Sequence, residues 1–278
     1  MTELDADVLV RRYLECLGVE PGEPDLELLV RLHRAHAQRF SHDTIWMSRG
    51  RQSPFEELAM VDHLLDGEGG ACVHLNCSFA WLLEQLGFDV VRHSARTQTL
   101  FDAEPLDGFG GHVALTVTLD GRRWLADIGM GHGLLEPVPL EPGEHVQEGG
   151  FRYCVEQVDG TSPGRWRFVH DPRLRTIQVV EFADEPAERA DVERLYELTS
   201  YHPDSPFVRN LTVGRRLADG VLMLNHDTLV RRDSDGRTVT RLTSGDEWEQ
   251  VLRDDFLLAL PELTEDERDR LWTRMSHA

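Results

Sequence analysis

The sequence contains no lysine, because all 29 of its basic residues are arginine. Schiff-base catalysis needs a lysine amine, and the phosphate-binding motif G-x-x-x-x-G-K-[ST] needs a lysine as well, so both are excluded. Long apolar runs are also lacking, since no stretch approaches the roughly 18 residues that a membrane span requires. The first residues have the pattern of an amphipathic helix rather than of a signal peptide. We therefore expect a soluble cytoplasmic protein without membrane contact.

Cysteine is scarce, and its spacing shows no disulfide framework. The four cysteines are Cys16, Cys72, Cys77 and Cys154, and a cytoplasmic chain keeps its thiols reduced. Cys72 and Cys77 flank His74, which invites comparison with a zinc site. A tetrahedral zinc site needs a second ligand pair at short spacing, and the sequence has none. We predict that no metal is bound.

Positive charge is in short supply too. The 29 arginines stand against 50 acidic residues, which gives a formal net charge of −21. Nucleic-acid binding depends on clustered Lys and Arg that neutralise phosphates, so we expect no nucleic-acid partner. An acidic surface would attract cationic substrates, although it could serve only to keep the chain in solution.

The spacing of apolar residues divides the chain into three parts. Apolar residues recur at helical spacing up to about residue 90, and the last of these helices follows Cys72 and ends at Gly87. From about Asp89 the period is two, which predicts short strands separated by Gly, Pro and Asp turns, as in a barrel or a sandwich. Beyond Phe182 helices and hairpins alternate. The sequence therefore predicts an α+β fold.

One predicted hairpin brings a carboxylate to an imidazole. In HVALTVTLDGRRWLADIG, Asp120-Gly121 is a two-residue turn signal between two alternating apolar runs. That turn places Ala114 opposite Asp127, on the face that also carries His112. Diagonal neighbours on one face are roughly 7–8 Å apart at the backbone, within reach of long side chains. We therefore predict a contact between His112 and Asp127.

Cys72 is the candidate nucleophile. It follows Gly69-Gly70 and begins a predicted helix, where backbone N–H groups and the helix dipole lower the pKa of a thiol. A carboxylate that orients an imidazole, which in turn takes the thiol proton, completes an activated triad of Cys72, His112 and Asp127. Taken alone, a buried inert cysteine or a structural His–Asp pair is the commoner situation. The combination favours catalysis.

Three motifs that contain these residues resemble the arylamine N-acetyltransferase family, which includes natural-product amide synthases. EGGACVHLN, FGGHVALTV and WLADIGMG occur in the family's order and at comparable spacing. The resemblance implies an N-terminal helical bundle over 1–90 that carries the nucleophile, a central antiparallel β-barrel over 91–195 that carries His and Asp, and a C-terminal α/β lid over 196–278. It also implies ping-pong transfer of an acyl group from acyl-CoA through Cys72 to a small-molecule amine, without a permanently bound cofactor.

The resemblance implies further substrate-binding residues. Gly129, Met130 and Gly131 would line the cleft, and the methionine would make it less selective for flat rings than the family's aromatic residue does. Phe207 would be a contact from the lid, and His74 would touch substrate from the nucleophile helix. The structural alternatives are a strand end that turns on two glycines, a core aromatic and an ordinary helix-face residue.

Other residues are expected on the acyl-CoA side. Phe109 and Gly110 belong to the FGGH motif, and Arg209 follows the S-P-F segment. Arg209, Arg215 and Arg216 would form a patch that holds CoA phosphates through bidentate guanidinium contacts, or that docks an acidic carrier protein. Solvated arginines without a ligand are the alternative.

Three positions depart from the family's motifs. Glu68 stands where the family has Arg, His74 where it has Glu, and His42 where it has the Glu of F-E-N. We hypothesise that Glu68 and His42 make the family's Arg–Glu contact with reversed signs. A Glu68→Arg plus His42→Glu exchange should then recover more activity than either single change.

Three alternatives to acyl-CoA-dependent transfer remain open. The first is an amide synthase that takes its acyl chain from the phosphopantetheine of a carrier protein. The second is a thiol hydrolase, which shares the Cys-His-Asp order and would release free acid at full rate without any amine. The third is a relative that binds without catalysis, which the presence of all three triad residues disfavours.

Overall fold

The computed structural model describes residues 5–50, 55–99, 111–158, 165–174, 177–261 and 263–276. In the described residues helices dominate as far as residue 85, interrupted by one strand of two residues. Side-chain caps explain where several of them begin: the Asp25 carboxylate accepts the N–H of Leu28 at 2.8 Å, at the start of the second helix. The elements of this part are α1 Ala6–Leu17, α2 Leu26–Arg39, β1 His42–Asp43, α3 Ile45–Ser48, α4 Glu57–Leu65 and α5 Cys72–Gln85.

The middle of the described chain forms a nearly closed antiparallel barrel. Its strand order is β5-β4-β3-β2-β9-β8-β7-β6. Side chains alternate along the strands; on β8 and β9 the even-numbered residues face inward, with Phe168 and Phe182 buried. The strands are β2 Asp89–Thr99, β3 His112–Leu119, β4 Arg122–Leu125, β5 Val138–Pro139, β6 Gly143–Gln147, β7 Phe151–Val158, β8 Arg165–Val169 and β9 Ile177–Ala183.

The predicted hairpin between β3 and β4 is confirmed in its register. Asp120 and Gly121 both have positive φ, 49° and 74°, as a two-residue turn of this kind requires. Val117 pairs with Trp124, and a hydrogen bond of 2.9 Å from the N–H of Ala126 to the carbonyl of residue 115 extends the ladder. Asp127, the residue after Ala126, therefore lies just beyond the end of β4.

A second sheet and four helices complete the described part of the fold. The sheet has the order β1-β10-β11-β12-β13, so that β1 joins it from between two helices of the N-terminal part. The α+β fold class, with helices, barrel and C-terminal α/β part, is confirmed, while the domain boundaries stay a prediction. The elements are α6 Arg189–Tyr201, α7 Pro206–Arg209, β10 Thr212–Arg216, β11 Gly220–Asn225, β12 Thr228–Asp233, β13 Gly236–Arg241, α8 Gly245–Asp254 and α9 Glu265–Met275.

Within the described part of the chain, no helix has both the length and the apolar character that crossing a membrane demands. Over the same residues, no group of three or more His, Cys, Asp or Glu side chains is placed to hold a metal ion.

Candidate active site

Cys72 is the first residue of α5 and is 7% exposed. Ala71, which precedes it, provides no side-chain cap, so the free N–H groups and the positive end of the helix dipole are available to a charge at the sulfur. The Sγ atom lies 3.9 Å from the carbonyl oxygen of Gly111. The start of the helix therefore holds the thiol beside the first residues of β3.

The predicted contact between His112 and Asp127 forms. His112 is the first residue of β3, Asp127 follows the end of β4, and Nε2 and Oδ2 are 2.6 Å apart. The other carboxylate oxygen accepts the N–H of Gly129 at 3.0 Å. Both side chains are buried, so their interaction is only weakly screened by solvent.

Asn76 links the nucleophile helix to this pair, and the sequence analysis missed it. Its Nδ2 donates to Oδ1 of Asp127 at 2.8 Å and to the carbonyl of Val113 at 2.5 Å, while its Oδ1 accepts the N–H of Ile128 at 3.0 Å. It stands one turn after Cys72, on the same face of α5. Their spacing within EGGACVHLN is the sequence feature from which the position of Asn76 beside the nucleophile could have been predicted. Asn76 thus fixes the orientation of the carboxylate.

The charges of the pair support each other. Burial alone would lower the pKa of His112, but the charge of Asp127, its hydrogen bond and a hydrogen bond with Cys72 raise that pKa to about 10. Burial would raise the pKa of Asp127, but the charge and hydrogen bond of His112 and the amide of Asn76 lower it below its usual value. At neutral pH the site therefore holds an imidazolium against a carboxylate.

The glycines after Asp127 lie against this centre. A Cβ added to Gly129 would be 2.6 Å from Nδ2 of Asn76 and 2.9 Å from Cε1 of His112. Gly131 has a φ of +64°, and a Cβ there would approach the carbonyl oxygen of Gly214 to 2.5 Å. Only glycine fits at these two positions. Met130, between them, is buried in the apolar core of the barrel.

The other two predicted substrate-binding residues, Phe207 and His74, have different surroundings. Phe207, on α7, packs against the apolar cluster that contains Cys72, and its ring centroid is 6.2 Å from that of His42. His74 is fully buried on α5, and the rings of Trp46 and Tyr196 pack edge-on against it, with centroids 5.2 and 5.5 Å away. Phe207 thus lies near the candidate nucleophile, while His74 lies among aromatic rings.

The arginine patch proposed for phosphates does not form. Arg215 donates to the carbonyls of Gln38 and Asp255, both at 2.6 Å. Arg216 is 1% exposed, and its two terminal nitrogens donate to three backbone carbonyls, so they are not available to a phosphate. Arg209 is exposed and paired with Asp204. Two further candidates on the CoA side, Phe109 and Gly110, lie outside the described residues.

The hypothesis of a contact between Glu68 and His42 is wrong. Among the described residues no hydrogen bond or ion pair joins them. Burial lowers the pKa of His63 and the charge of Glu68 opposes that shift, while the charge of Glu68 adds to the raised pKa of Asp43. Burial and the charge of His112 lower the pKa of His42 to about 4. The charge of His112 therefore acts on His42, whereas the charge of Glu68 acts on His63 and Asp43.

Comparisons with known proteins identify the family of the chain. A family model described as N-acetyltransferase matches residues 25–264. The chain is 31% identical over 212 residues to an arylamine N-acetyltransferase of Mycolicibacterium smegmatis, covering 72% of this chain and 74% of the relative. It is 28% identical over 256 residues to proansamycin X synthase of Amycolatopsis mediterranei (strain S699), covering 87% of this chain and 95% of the relative.

A solved structure matches as well. The arylamine N-acetyltransferase of Nocardia farcinica has a TM-score of 0.83 and 28% identity, covering 97% of this chain and 94% of that one. Fold and matches together define an acyl-transferring enzyme. The chain belongs to the arylamine N-acetyltransferase family, and the resemblance read from its three motifs is confirmed.

Proposed function

We propose that the protein is a cysteine-dependent N-acyltransferase that moves an acyl group from acyl-CoA to Cys72 and then to a small-molecule amine. The observation that carries this proposal is the 2.6 Å contact of His112 with Asp127, held beside the start of the nucleophile helix by the amide of Asn76. An imidazole so oriented is a suitable proton acceptor for a thiol.

The first half-reaction forms the acyl-enzyme. In the reactive form His112 holds the proton of Cys72, and its imidazolium is paired with Asp127. The thiolate, favoured by the uncapped start of α5, attacks the thioester carbonyl. The C–S bond to CoA then breaks, and the CoA sulfur takes the proton from His112. A new thioester on Cys72 remains.

The second half-reaction forms the amide. The nitrogen of the acceptor attacks the carbonyl of the acyl-cysteine, and His112 takes the proton that the nitrogen loses. The C–S bond to Cys72 breaks, and the sulfur that leaves beside the His112 imidazolium restores the reactive form of the enzyme. The apolar cluster around the nucleophile, to which Trp46, Val113 and Phe207 belong, would exclude competing water.

A second candidate is an amide synthase that takes its acyl chain from a carrier protein. It is favoured by the similarity to proansamycin X synthase, which extends over 95% of that relative. The substitutions Glu68 and His42 in otherwise matching motifs fit a changed substrate. The net charge of −21 is unfavourable for docking an acidic carrier, so acyl-CoA is the leading donor.

The test is intact mass after incubation with acetyl-CoA, longer acyl-CoAs or an acylated phosphopantetheine mimic. We expect a gain of one acyl group that is lost in Cys72→Ala. Cys77→Ala is the matched control, because burial raises the pKa of that thiol to about 12; it should acylate like wild type. A gain that survives in Cys72→Ala, or no gain from any donor, would contradict the proposal.

The donor that acylates the protein fastest distinguishes an acyl-CoA-dependent enzyme from one that uses carrier-bound acyl chains. The hydrolase alternative is tested with the same protein by measuring free acid without any amine. Acid release as fast as amide formation would make water the acceptor.

A further inference from the structure

A buried histidine that the proposed reaction does not use lies inside the barrel. His170 follows β8 and is 2% exposed, and neither of its ring nitrogens has a hydrogen-bond partner among the described residues. The ring of Phe168 packs edge-on against it, with centroids 4.7 Å apart, as does that of Tyr153 at 5.9 Å. Burying a polar group without a partner costs stability, so packing alone does not account for an imidazole here.

The glycine-rich segment 129–133 connects His170 to the candidate triad. Gly129 touches the triad residues, and a Cβ added to Gly133 would lie 3.5 Å from Cε1 of His170. Between these glycines His132 is buried, and its ring centroid is 6.2 Å from that of His170. The charge of Asp127 acts on His170 as well. The buried imidazole is therefore a neighbour of the site.

Gln178, on the neighbouring strand, carries another buried polar atom that has no partner among the described residues. The N–H of His170 donates to the carbonyl of Gln178 at 2.9 Å, which continues the ladder in which Val169 pairs with Val179. Directly opposite residues share a face of the sheet, and on these strands that face points into the barrel. The Nε2 atom of Gln178 is buried and has no partner among the described residues.

The charge state of His170 restricts which functional groups of a ligand it can bind. Burial, followed by the charge of His132, lowers the pKa of His170 to about 3. A neutral imidazole offers one donor and one acceptor, and the amide of Gln178 offers another donor. This set matches an uncharged hydroxyl or carbonyl group, and it provides no positive charge for a carboxylate.

We propose that His170 and Gln178, with His132 beside them, form a polar subsite that hydrogen-bonds a hydroxyl or carbonyl group of a substrate held at Cys72. The inference rests on the proposed function, because that substrate is either the acyl chain or the amine of the reaction. An ordered water would fill the same space without selecting substrates, and the test distinguishes the two.

The experiment compares kcat/KM ratios in wild type and in His170→Phe. On the donor side, 3-hydroxybutyryl-CoA and 3-oxobutyryl-CoA are each compared with butyryl-CoA, using one amine. On the acceptor side, 4-aminophenol is compared with 4-methylaniline, using acetyl-CoA. Ratios within one variant cancel any general change in activity. His202→Phe, at an exposed histidine, is the matched control.

We expect one of these ratios to fall about tenfold in His170→Phe, as for the loss of one substrate hydrogen bond, and to stay at the wild-type value in His202→Phe. The ratio that falls identifies the acyl chain or the amine as the source of the polar group. If His170→Phe does not fold, Gln178→Met tests the subsite from the opposite strand. Unchanged ratios in variants that still form the acyl-Cys72 adduct would overturn the subsite and leave water as its occupant. A wild type that forms no adduct would overturn the proposed function as well, and the mass measurement tells the two results apart.

Discussion

Asp43 offers a quantitative test of the electrostatics beside the nucleophile loop. Its carboxylate is 3% exposed, and Oδ1 accepts the N–H of Ile45 at 2.8 Å. The other oxygen is packed so tightly against Gly69 that a Cβ there would lie 2.1 Å away. Burial raises the pKa of this carboxyl to about 7 from its ordinary value of 3.8. The charge of Glu68 adds to the rise, and the Ile45 N–H and Arg49 oppose it.

The sign of the effect on stability follows from these two values. Below pH 3.8 the carboxyl is protonated in both states, so ionisation has no effect. Between pH 3.8 and about 7 the folded state binds the extra proton, and the free energy of unfolding falls as pH rises. The two pKa values differ by about three units, and each unit corresponds to about 1.36 kcal/mol. The free energy of unfolding is therefore lowered by about 4 kcal/mol, and the loss is complete above about pH 7. Asparagine, the family's residue in F-E-N, keeps the oxygen that accepts from Ile45 and has no charge to bury.

We therefore compare the free energy of unfolding of Asp43→Asn with that of wild type as a function of pH. The difference should rise in favour of the variant by about 4 kcal/mol from about pH 4 to about pH 8. The assay is urea unfolding followed by tryptophan fluorescence at several pH values in that range. Asp254→Asn, at an exposed aspartate, should show a difference from wild type that is nearly flat with pH. A flat difference for Asp43→Asn would refute the reasoning.

Three further variants test the candidate site. Asn76→Ala removes the amide that donates to Asp127 at 2.8 Å, so we expect acylation by acetyl-CoA to slow about tenfold or more, measured by intact mass in a single turnover; an unchanged rate would remove Asn76 from the mechanism. Gly129→Ala places a methyl group 2.9 Å from Cε1 of His112 and should slow acylation about a hundredfold through misplacement, whereas Gly143→Ala, where a Cβ meets nothing within 4 Å, is the control expected to match wild type. Asp127→Asn removes the charge that raises the pKa of His112 to about 10, so the alkaline limb of the acylation rate should move down toward the ordinary histidine value of about 6.5; a limb that stays in place would mean that another group sets it.

Local signals were sufficient for the parts of the site that depend on one hairpin and one helix. The Asp120-Gly121 turn determines the β3–β4 register, so the meeting of His112 and Asp127 could be predicted. Asn76 was within reach as well, because its spacing from Cys72 is one helical turn. The sequence does not predict its role, because a neutral amide carries no charge that marks it and its partner Asp127 lies 51 residues further along the chain.

Contacts between distant elements had no such signal. His42 joins the site because β1 pairs with β10, which lies about 170 residues further along the chain. His170 comes close through the curvature of the barrel, which alternation along a strand does not specify. The burial of Arg216 depends in the same way on elements that are remote in sequence. A sequence pattern gives the type of an element and its face, while partners at long range emerge from packing.

The two residues of β1 have a consequence for building chimaeras from related enzymes. His42 pairs with Gly214 on one side and with Gly70 on the other, and the N–H of Asp43 donates to the carbonyl of Gly70 at 3.2 Å. One short ladder therefore spans the loop before the nucleophile and the C-terminal sheet. A crossover placed between barrel and lid would combine strands from two parents within that ladder. We expect functional hybrids to need residues 41–43 and 212–216 from the same parent.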